Sequence, residues 1–286
     1  YLEPYASKID YKYLWILRKT TAKSLLGKGG GKLIRDIYSA WRLMKDYDFT
    51  YINTAVVLNF IIASFFSSSS RVVHIHEIPT GFSRFVFSSL LIWSRAAIIY
   101  NSNATMRSFF LPPWQSEDVI PNGVAKPEDS VSQVVNNTDT FNILMIGRLN
   151  DWKGQDLVIK ALNEIDTLKL RSIRLKIVGD VFESQYYFKD DLVNLIRHFK
   201  LDNNIELIGF KSDPEEFYKW ADLVVVPSKK PEPFGLVAIE AMSYGKCVVA
   251  ANHGGLVDII DQDVTGFLFT PLDVNALRDA ICFSYD

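Results

Sequence analysis

Two cations and two carboxylates have the side-chain types and positions that a binding or catalytic site needs. Arg148 and Lys153 follow directly after the apolar run 141–146, and Glu232 and Glu240 are eight residues apart around a proline-rich turn. Two fixed positive charges can hold a diphosphate and stabilise the charge that develops on it when a bond to it breaks. Carboxylates can accept hydrogen bonds from sugar hydroxyls. These residue types suit an anionic ligand that is rich in hydroxyl groups.

Each of the four residues also has an ordinary structural explanation. Arg148 and Lys153 can be solvated loop charges. Glu232 can simply complement the start of a helix, and Glu240 can be an exposed helical acid. Spacing alone leaves both explanations open.

The turn that precedes Glu240 strengthens the case for an anion site. It runs through several prolines to Phe234 and Gly235 and opens directly into a predicted helix. The amino terminus of a helix favours negative charge, so we expect the backbone amides near Phe234 and Gly235 to face the same anion as the two cations.

The elements that must position these residues alternate between strand and helix in the second half of the chain. The predicted strands are 141–146, 174–178, 205–208, 223–226 and 247–251, and the predicted helices are 154–170, 186–199, 213–220 and 235–244. Such alternation requires a parallel sheet with helices on both faces, which makes this half Rossmann-like. In such a sheet, ligands lie beyond the carboxyl ends of the strands, where Arg148 and Lys153 are expected.

The first half is less regular but also predicts an α/β domain. Its strand candidates are 50–52, 71–75, 97–100 and 118–120. The polar stretch 126–140 is the natural linker. We therefore predict an N-terminal Rossmann-like domain over 1–125, a linker over 126–140 and a C-terminal Rossmann-like domain over 141–286. The glycine-rich segment 27–32 lacks the residues of a phosphate-binding loop, and we expect a flexible loop there.

Composition excludes several classes of protein. With 48% apolar and 22% charged residues, the 286-residue chain is too hydrophobic to be disordered, and its net charge of -2 does not suggest a nucleic-acid partner. Cys247 and Cys282 form neither a disulfide framework nor a zinc motif, so we expect a cytoplasmic protein. The apolar stretch 55–66 is too short to span a bilayer. Residues 1–125 carry a net charge of +6, which is either an uneven solvated surface or a face for an anionic partner.

Several short motifs occur in one consistent order from residue 120 to residue 267. They lie at 120–124, 147–149, 153–154, 179–180, 232–242, 254–255 and 265–267. In this order and spacing, the sequence resembles the GT4 family of retaining glycosyltransferases. The resemblance implies a GT-B fold, in which two Rossmann-like domains face each other across a cleft. It makes 1–125 the acceptor-side domain and 141–286 the nucleotide-sugar-binding domain. The usual first strand of the N-terminal domain is not found, so we expect that domain to be incomplete here.

The resemblance also assigns roles to individual residues. It implies that Arg148 and Lys153 contact the donor diphosphate, that Glu232 contacts the transferred sugar, and that Glu240 binds the ribose hydroxyls. Phe234, Gly235 and Leu236 complete the implied donor site. Arg148, Lys153 and Glu232 are thereby the catalytic candidates of this half.

A further catalytic candidate, His76, lies in the first half. The run 73–79 is similar to the strand-end histidine motif of the family, in which the second histidine approaches the donor sugar. A neutral imidazole can hydrogen-bond a sugar hydroxyl, although a structural histidine satisfied at a strand end is the alternative. We assign His74 to the opposite face of the strand and leave it out of the site.

The resemblance implies a retaining hexosyltransferase that uses a nucleoside diphosphate sugar and needs neither cofactor nor metal. The expected acceptor is a glycan or a lipid-linked molecule, in cell-surface polysaccharide or glycolipid synthesis. We expect a cytoplasmic protein with peripheral contact at the inner membrane face. Two alternatives stay open: a nucleotide-sugar epimerase, and a non-catalytic sugar-nucleotide binding protein of the same fold.

Overall fold

The computed structural model describes residues 29–127, 140–182 and 185–286. The helices of the first half are α1 (Gly29–Lys45), α2 (Leu58–Phe65), α3 (Phe82–Ser94) and α4 (Asn103–Arg107). Its strands are β1 (Phe49–Ile52), β2 (Ser70–Ile75), β3 (Ala97–Tyr100) and β4 (Glu117–Val119). All four predicted strands of this half are therefore found, with ends that differ by one residue or less.

The second half alternates between strand and helix, as predicted. Its strands are β5 (Phe141–Ile146), β6 (Ile173–Val178), β7 (Ile205–Ile208), β8 (Leu223–Val226), β9 (Cys247–Ala251) and β10 (Gly266–Phe269). Its helices are α5 (Gln155–Asn163), α6 (Thr167–Ser172), α7 (Tyr186–His198), α8 (Glu215–Trp220), α9 (Leu236–Ser243), α10 (Leu256–Ile259) and α11 (Val274–Tyr285). Strand β10 is an addition to the predicted set.

Two parallel sheets organise these elements, which confirms the predicted α/β class. The first has the order β1-β2-β3-β4, and the second has the order β10-β9-β8-β5-β6-β7. Within the described residues, every strand pair in both sheets is parallel. Strand β8 is buried along its whole length, as expected for a central strand covered by helices on both faces.

The chain divides into two compact units. The first comprises the described parts of 1–101 and 105–120, and the second comprises 102–104 and the described parts of 121–286. The predicted linker 126–140 falls largely on 128–139, outside the described residues. The predicted domain boundaries at 125 and 141 therefore stay predictions.

The glycine triplet at 29–31 is helical, and the prediction of a loop there is wrong. Gly29 begins α1, whereas positions 27 and 28 lie outside the described residues. Ala40 and Met44 of this helix are buried in a small core with Ala63 of α2. Tertiary packing of an amphipathic helix outweighs the poor helix propensity of glycine at its first turn.

The single helix predicted over 154–170 is two helices. Helix α5 ends at Asn163, and Asp166 caps α6 by accepting a hydrogen bond from the Leu168 amide at 2.8 Å. Because an aspartate at this position satisfies an amide that would otherwise lack a partner, the chain can start a new helix after a short turn. The apolar spacing continues through the break, so periodicity alone does not reveal it.

Candidate active site

The carboxyl ends of β5 and β8 form the most favourable position for a ligand in the second sheet. The strands that follow β5 in sequence extend the sheet to one side, and those that follow β8 extend it to the other. Strands β5 and β8 are direct neighbours, with Ile143 opposite Leu223. In open parallel sheets, such a change of direction leaves a crevice between the loops that follow the two strands. The predicted cations follow β5, and Glu232 follows β8.

An ion pair joins these two loops. The ammonium Nζ of Lys153 lies 2.6 Å from Oε1 of Glu232. The hydroxyl of Ser228, itself buried, donates a hydrogen bond to the same Oε1. No described residue hydrogen-bonds the second oxygen, Oε2. The structure therefore brings two of the predicted catalytic residues together and leaves one carboxylate oxygen available.

Glu232 is a buried charge with well-formed support. Its side chain is 9% exposed and that of Lys153 is 19% exposed. Removing a carboxylate from water is costly unless it is paired and hydrogen-bonded, and Lys153 and Ser228 meet both conditions. The ion pair and the hydrogen bond together fix the position of the Glu232 carboxylate beside the crevice.

Close backbone contacts hold the two loops together. The backbone amide of Lys229 donates to the carbonyl oxygen of Trp152 at 2.6 Å. Gly154, with a φ of +84°, lies so near the next strand that a Cβ there would be 2.1 Å from the carbonyl oxygen of Pro227. Asn150 accepts a hydrogen bond from the Lys153 amide at 3.0 Å. The loop that carries Lys153 is therefore fixed against the strand that leads to Glu232.

A third loop holds the backbone of Glu232. The Gly255 amide donates to the Glu232 carbonyl oxygen at 2.7 Å. At Gly254, with a φ of +65°, a Cβ would lie 2.3 Å from the same oxygen. The glycine pair that follows β9 therefore allows the close backbone approach that sets the position of the carboxylate.

Arg148 lies at the same sheet edge but makes a different contact. Its guanidinium carbon is 3.9 Å from the ring centre of Phe182, and its carbonyl oxygen accepts a hydrogen bond from Gln155 at 3.0 Å. A cavity of about 390 Å³ lies beside it, lined by residues that follow β5, β6 and β7, including Asp180 and Phe210. The structure does not place the Arg148 guanidinium on the Lys153–Glu232 pair.

Glu240 is half-buried on α9 and has one strong partner. The hydroxyl of Tyr218 donates a hydrogen bond to Oε2 of Glu240 at 2.6 Å. Burial and the neighbouring carboxylate raise the pKa of Tyr218, so that the hydroxyl keeps its proton and remains a donor. Among the described residues, none hydrogen-bonds Oε1 of Glu240. The interpretation of Glu240 as a merely exposed helical acid is therefore wrong.

The start of α9 continues the loop that carries Glu232. Phe234 is buried, Gly235 precedes the helix with a φ of +119°, and Leu236 is the first helical residue. Among the described residues, no side chain caps this helix. Its first amides are therefore available to an anion.

His76 belongs to the first unit, where it follows β2. Its Nε2 lies 2.8 Å from Oδ1 of Asn53, and its Nδ1 lies 3.4 Å from Nδ2 of Asn101. These contacts fit a neutral ring that donates from Nε2 and accepts at Nδ1. Partial burial lowers the pKa of His76, with nearby Glu77 opposing the shift.

The assignment of His74 to the opposite face of the strand is wrong. The ring centres of His74 and His76 are 4.1 Å apart. Residues two apart in a strand lie on the same face, so the two rings must be neighbours. Burial and His76 lower the pKa of His74, and the Tyr51 hydroxyl hydrogen-bonds its Nδ1.

Three residues that support the site were not found from the sequence. They are Ser228, Tyr218 and Asn53, each of which hydrogen-bonds a predicted site residue. Ser228 has a weak sequence signal because it lies in the same turn as Glu232. Tyr218 is 22 positions from its partner and Asn53 is 23, and no motif connects them.

No metal-binding cluster of histidine, cysteine, aspartate or glutamate is present in the described parts of the chain. Among the helices that the structure describes, none combines the length and hydrophobicity needed to cross a membrane.

Comparison with known proteins identifies relatives along most of the chain. It is 31% identical over 181 residues to the lipopolysaccharide 1,2-N-acetylglucosaminetransferase of Salmonella typhimurium, covering 59% of this chain and 47% of that protein. It is 33% identical over 141 residues to the D-inositol 3-phosphate glycosyltransferase of Mycobacterium bovis, covering 49% of this chain and 28% of that protein. The chain thus spans less than half the length of these curated relatives.

Solved structures agree with the fold. The crystal structure of Anabaena Alr3699/HepE in complex with UDP and glucose matches with a TM-score of 0.75 and 29% identity, over 87% of this chain and 71% of that one. The likeness to these solved structures confirms the predicted GT-B fold class. The family model of glycosyl transferases group 1 matches residues 127–283, which is more than half of the chain. This protein therefore belongs to the group 1 family of glycosyl transferases.

Proposed function

We propose that the protein transfers a hexose from a nucleoside diphosphate sugar to a hydroxyl acceptor, with retention at the anomeric carbon, as a GT4-type glycosyltransferase. The observation that carries the proposal is the Lys153–Glu232 pair in the crevice between the loops that follow β5 and β8. A cation, a supported carboxylate and an uncapped helix start meet there, and these groups complement a diphosphate joined to a sugar.

In the proposed reaction, the bond between the anomeric carbon and the diphosphate oxygen breaks, and its electron pair leaves with the diphosphate. Lys153, Arg148 and the first amides of α9 (those near Phe234, Gly235 and Leu236) stabilise the negative charge on this leaving group. The acceptor oxygen bonds to the anomeric carbon from the side that the leaving group occupied. The proton of the acceptor hydroxyl passes to the diphosphate, so atoms and charge balance.

The two carboxylates have separate tasks in this proposal. Glu232 directs its available oxygen, Oε2, to a hydroxyl of the transferred sugar, while Lys153 and Ser228 hold Oε1. Glu240 presents Oε1 to the ribose hydroxyls, while Tyr218 holds Oε2. We propose that His76 contacts the sugar on the acceptor side, where its neutral ring can exchange partners with a hydroxyl.

Relatives support the donor and the biological setting. Anabaena Alr3699/HepE has been crystallised with UDP and with UDP-glucose. One relative acts in lipopolysaccharide synthesis, and another, WclY of Escherichia coli, acts in O-antigen biosynthesis. We therefore propose a glycan or lipid-linked acceptor, cell-surface polysaccharide or glycolipid synthesis, and a cytoplasmic location with peripheral membrane contact.

We propose that the reaction needs no divalent metal. Arg148, Lys153 and the start of α9 can stabilise the negative charge on the diphosphate leaving group, which is the task that a metal ion performs in other enzymes. Turnover should persist when a chelator is added, and complete loss that Mg²⁺ or Mn²⁺ restores would contradict this part of the proposal.

The central test is substitution of Glu232 by glutamine in an assay with a panel of nucleotide sugars and glycan acceptors. The amide retains the size of the side chain but loses the charge, and we expect turnover to fall by roughly two orders of magnitude or more. Glu216→Gln, which changes an exposed acid of α8, is the matched control and should keep full activity.

The same assay separates the alternatives. Nucleoside diphosphate release that depends on an acceptor supports transfer. An isomerised donor without acceptor would indicate an epimerase, and saturable binding without turnover would indicate a non-catalytic binding protein. Undiminished transfer by Glu232→Gln would contradict the role of Glu232.

A further inference from the structure

The solvent-facing side of α3 carries a stripe of aromatic side chains. The residues of this helix that are exposed to solvent are Phe82, Phe85, Ser89 and Trp93, and their helical spacing puts them along one side. Phe82, Phe85 and Trp93 are 81%, 60% and 65% exposed. Soluble proteins rarely expose contiguous aromatic surface of this kind unless it binds something.

Exposed phenylalanines extend this stripe at both ends of the helix. Near the start of α3, the ring centre of Phe110 is 5.4 Å from that of Phe85. Near its end, the ring centre of Phe65 is 6.5 Å from that of Trp93 and 5.1 Å from that of Phe66. We name these residues the aromatic strip: Phe65, Phe66, Phe82, Phe85, Trp93 and Phe110.

The chain that builds the aromatic strip is almost free of negative charge. Residues 49–116 contain a single carboxylate, Glu77. That carboxylate hydrogen-bonds the Thr54 hydroxyl and the Ala55 amide, so it is engaged by a neighbouring loop. The same stretch contains four arginines: Arg71, Arg84, Arg95 and Arg107.

Three of these arginines border the aromatic strip. The guanidinium carbon of Arg84 is 3.5 Å from the ring centre of Phe110, and its NH2 group donates to the carbonyl oxygen of Arg107 at 2.8 Å. Arg107 is exposed at this end of α3, and Arg95 is exposed directly after the other end. The aromatic surface therefore has cations at both ends and no carboxylate on α3 itself.

We propose that the aromatic strip docks the protein on the surface of an anionic lipid bilayer. Aromatic side chains of a surface helix insert at the boundary between head groups and acyl chains, and arginines reach the lipid phosphates alongside them. The combination of apolar contact and positive charge matches the chemistry of an anionic membrane surface. A second copy of the chain is a poorer match, because a two-fold contact would place arginines opposite arginines.

The position of α3 gives the docking a functional consequence, which rests on the proposed sugar transfer. Strand β2 ends at Ile75, and α3 begins at Phe82, so the helix starts at the same sheet edge as His76. A bilayer bound along α3 would bring membrane-embedded molecules to the edge that carries this residue. The docking therefore narrows the proposed acceptor to a lipid-linked one.

Vesicle binding tests the proposal directly. The 286-residue chain is sedimented with vesicles of phosphatidylcholine, with and without phosphatidylglycerol. We expect binding only to the anionic vesicles, weakened by salt. The variant Phe82→Ser/Phe85→Ser/Trp93→Ser should bind at least roughly tenfold more weakly. Arg95→Gln/Arg107→Gln should bind more weakly and with less dependence on salt.

A matched control removes the same number of exposed aromatic side chains from the second unit. Tyr186→Ser/Tyr187→Ser/Phe283→Ser should bind the anionic vesicles like the unchanged chain. Circular dichroism establishes that each variant is folded. UDP binding by the same variants reports on the donor site separately, so loss of vesicle binding with unchanged UDP binding locates the effect in the aromatic strip.

Several outcomes would overturn the docking. These are equal binding to neutral and anionic vesicles, equal binding by the α3 variant and the unchanged chain, or equal losses in the α3 variant and the control. A dimer that the α3 variant converts to a monomer, without vesicle binding, would make the strip a protein interface instead. If vesicle binding holds but no nucleotide sugar binds, the proposed function fails while the docking stands.

Discussion

At the scale of single residues, the candidate site is defined by which oxygen of each carboxylate is already engaged. Glu232 and Glu240 each give one oxygen to neighbours in the protein and keep the other available. A carboxylate held in this way loses little side-chain entropy when a ligand binds, because its orientation is already set. The supporting hydroxyl groups should therefore influence donor affinity without touching the donor.

Tyr218→Phe tests this positioning role. The change removes one hydroxyl and keeps the ring, so Glu240 loses its donor and becomes freer to rotate. We expect the KM for the donor to rise about three- to tenfold, equivalent to ~1 kcal/mol, with kcat nearly unchanged. Steady-state kinetics with the donor as the varied substrate measures both constants.

Tyr244→Phe is the control for that substitution. Its ring stacks on Tyr218 at 5.2 Å between centres, and no described side chain hydrogen-bonds its hydroxyl. The kinetic constants of this variant should match those of the unchanged chain. A fall in kcat with constant KM in Tyr218→Phe would mean that Tyr218 acts in the chemical step.

Sequence reasoning found the charged members of the site but not the residues that hold them. Arg148, Lys153 and Glu232 are visible because each follows a predicted strand, and Glu240 is visible through its spacing of eight residues from Glu232 in a motif of the family. The partnership of Tyr218 with Glu240 exists only because α8 and α9 fold beside each other. A contact between two helices leaves no periodic trace in the sequence.

At the scale of elements, the loop between β5 and α5 depends on a close packing of backbones. Gly154 has a left-handed φ of +84° and lies against the carbonyl oxygen of Pro227. Any side chain there requires both an unfavourable backbone conformation and a displacement of the neighbouring strand. The position of Lys153, the preceding residue, depends on this contact.

Gly154→Ala should therefore destabilise the second unit and displace Lys153. We expect the free energy of unfolding to fall on the order of 3 kcal/mol, together with a loss of transfer activity. Urea denaturation and the donor assay measure the two effects. Gly209→Ala is the control, because a Cβ there meets only Asp180 Oδ2 at 3.8 Å. Its free energy of unfolding should change by no more than about 1 kcal/mol. Equal stability of the two variants would refute the close-packing argument.

Strands were predictable in this chain and helix ends were less so. Strands such as β5 and β8 are short, mostly apolar runs that begin after a polar residue and end at a glycine or a proline, which makes their limits plain in the sequence. The break between α5 and α6 was missed because apolar spacing continues across it, and only the cap at Asp166 marks it. The start of α1 was missed because local glycine propensity gives no sign of the tertiary packing that stabilises that helix.

At the scale of the whole molecule, the groups whose pKa values are lowered by folding include two histidines in the first unit and an aspartate in the second. In the first, burial lowers the pKa of both His74 and His76, and Nε2 of His74 is buried without a partner among the described residues. In the second, hydrogen bonds from Lys229 and Lys160 lower the pKa of Asp156 against the effect of burial. We therefore expect mild acid to lower the stability of the first unit before it lowers that of the second.

The direction follows from proton binding. A histidine whose pKa is lower in the folded state than its ordinary 6.5 binds more protons when unfolded, so stability is lost as the pH falls through 6.5 toward the folded-state value. The lowered pKa of Asp156 contributes stability that is lost only as the pH falls from its ordinary value of 3.8 downward. Ordinary histidines titrate between about pH 7.5 and 5.5. Of these three groups, only His74 and His76 reduce the free energy of unfolding in this range.

We therefore expect the urea midpoint of the first unit to fall between pH 7.5 and 5.5, where ordinary histidines titrate at about 6.5. The variant His74→Gln/His76→Gln should show a smaller fall, because a neutral amide does not titrate. His198→Gln, which changes an exposed histidine of α7, should retain the full pH dependence. Limited proteolysis at each urea concentration follows the unfolding of the two units separately, because the peptides released from an unfolded unit identify it by their sequence. An equal pH dependence in all three proteins would show that the histidine pair does not control the acid sensitivity of the first unit.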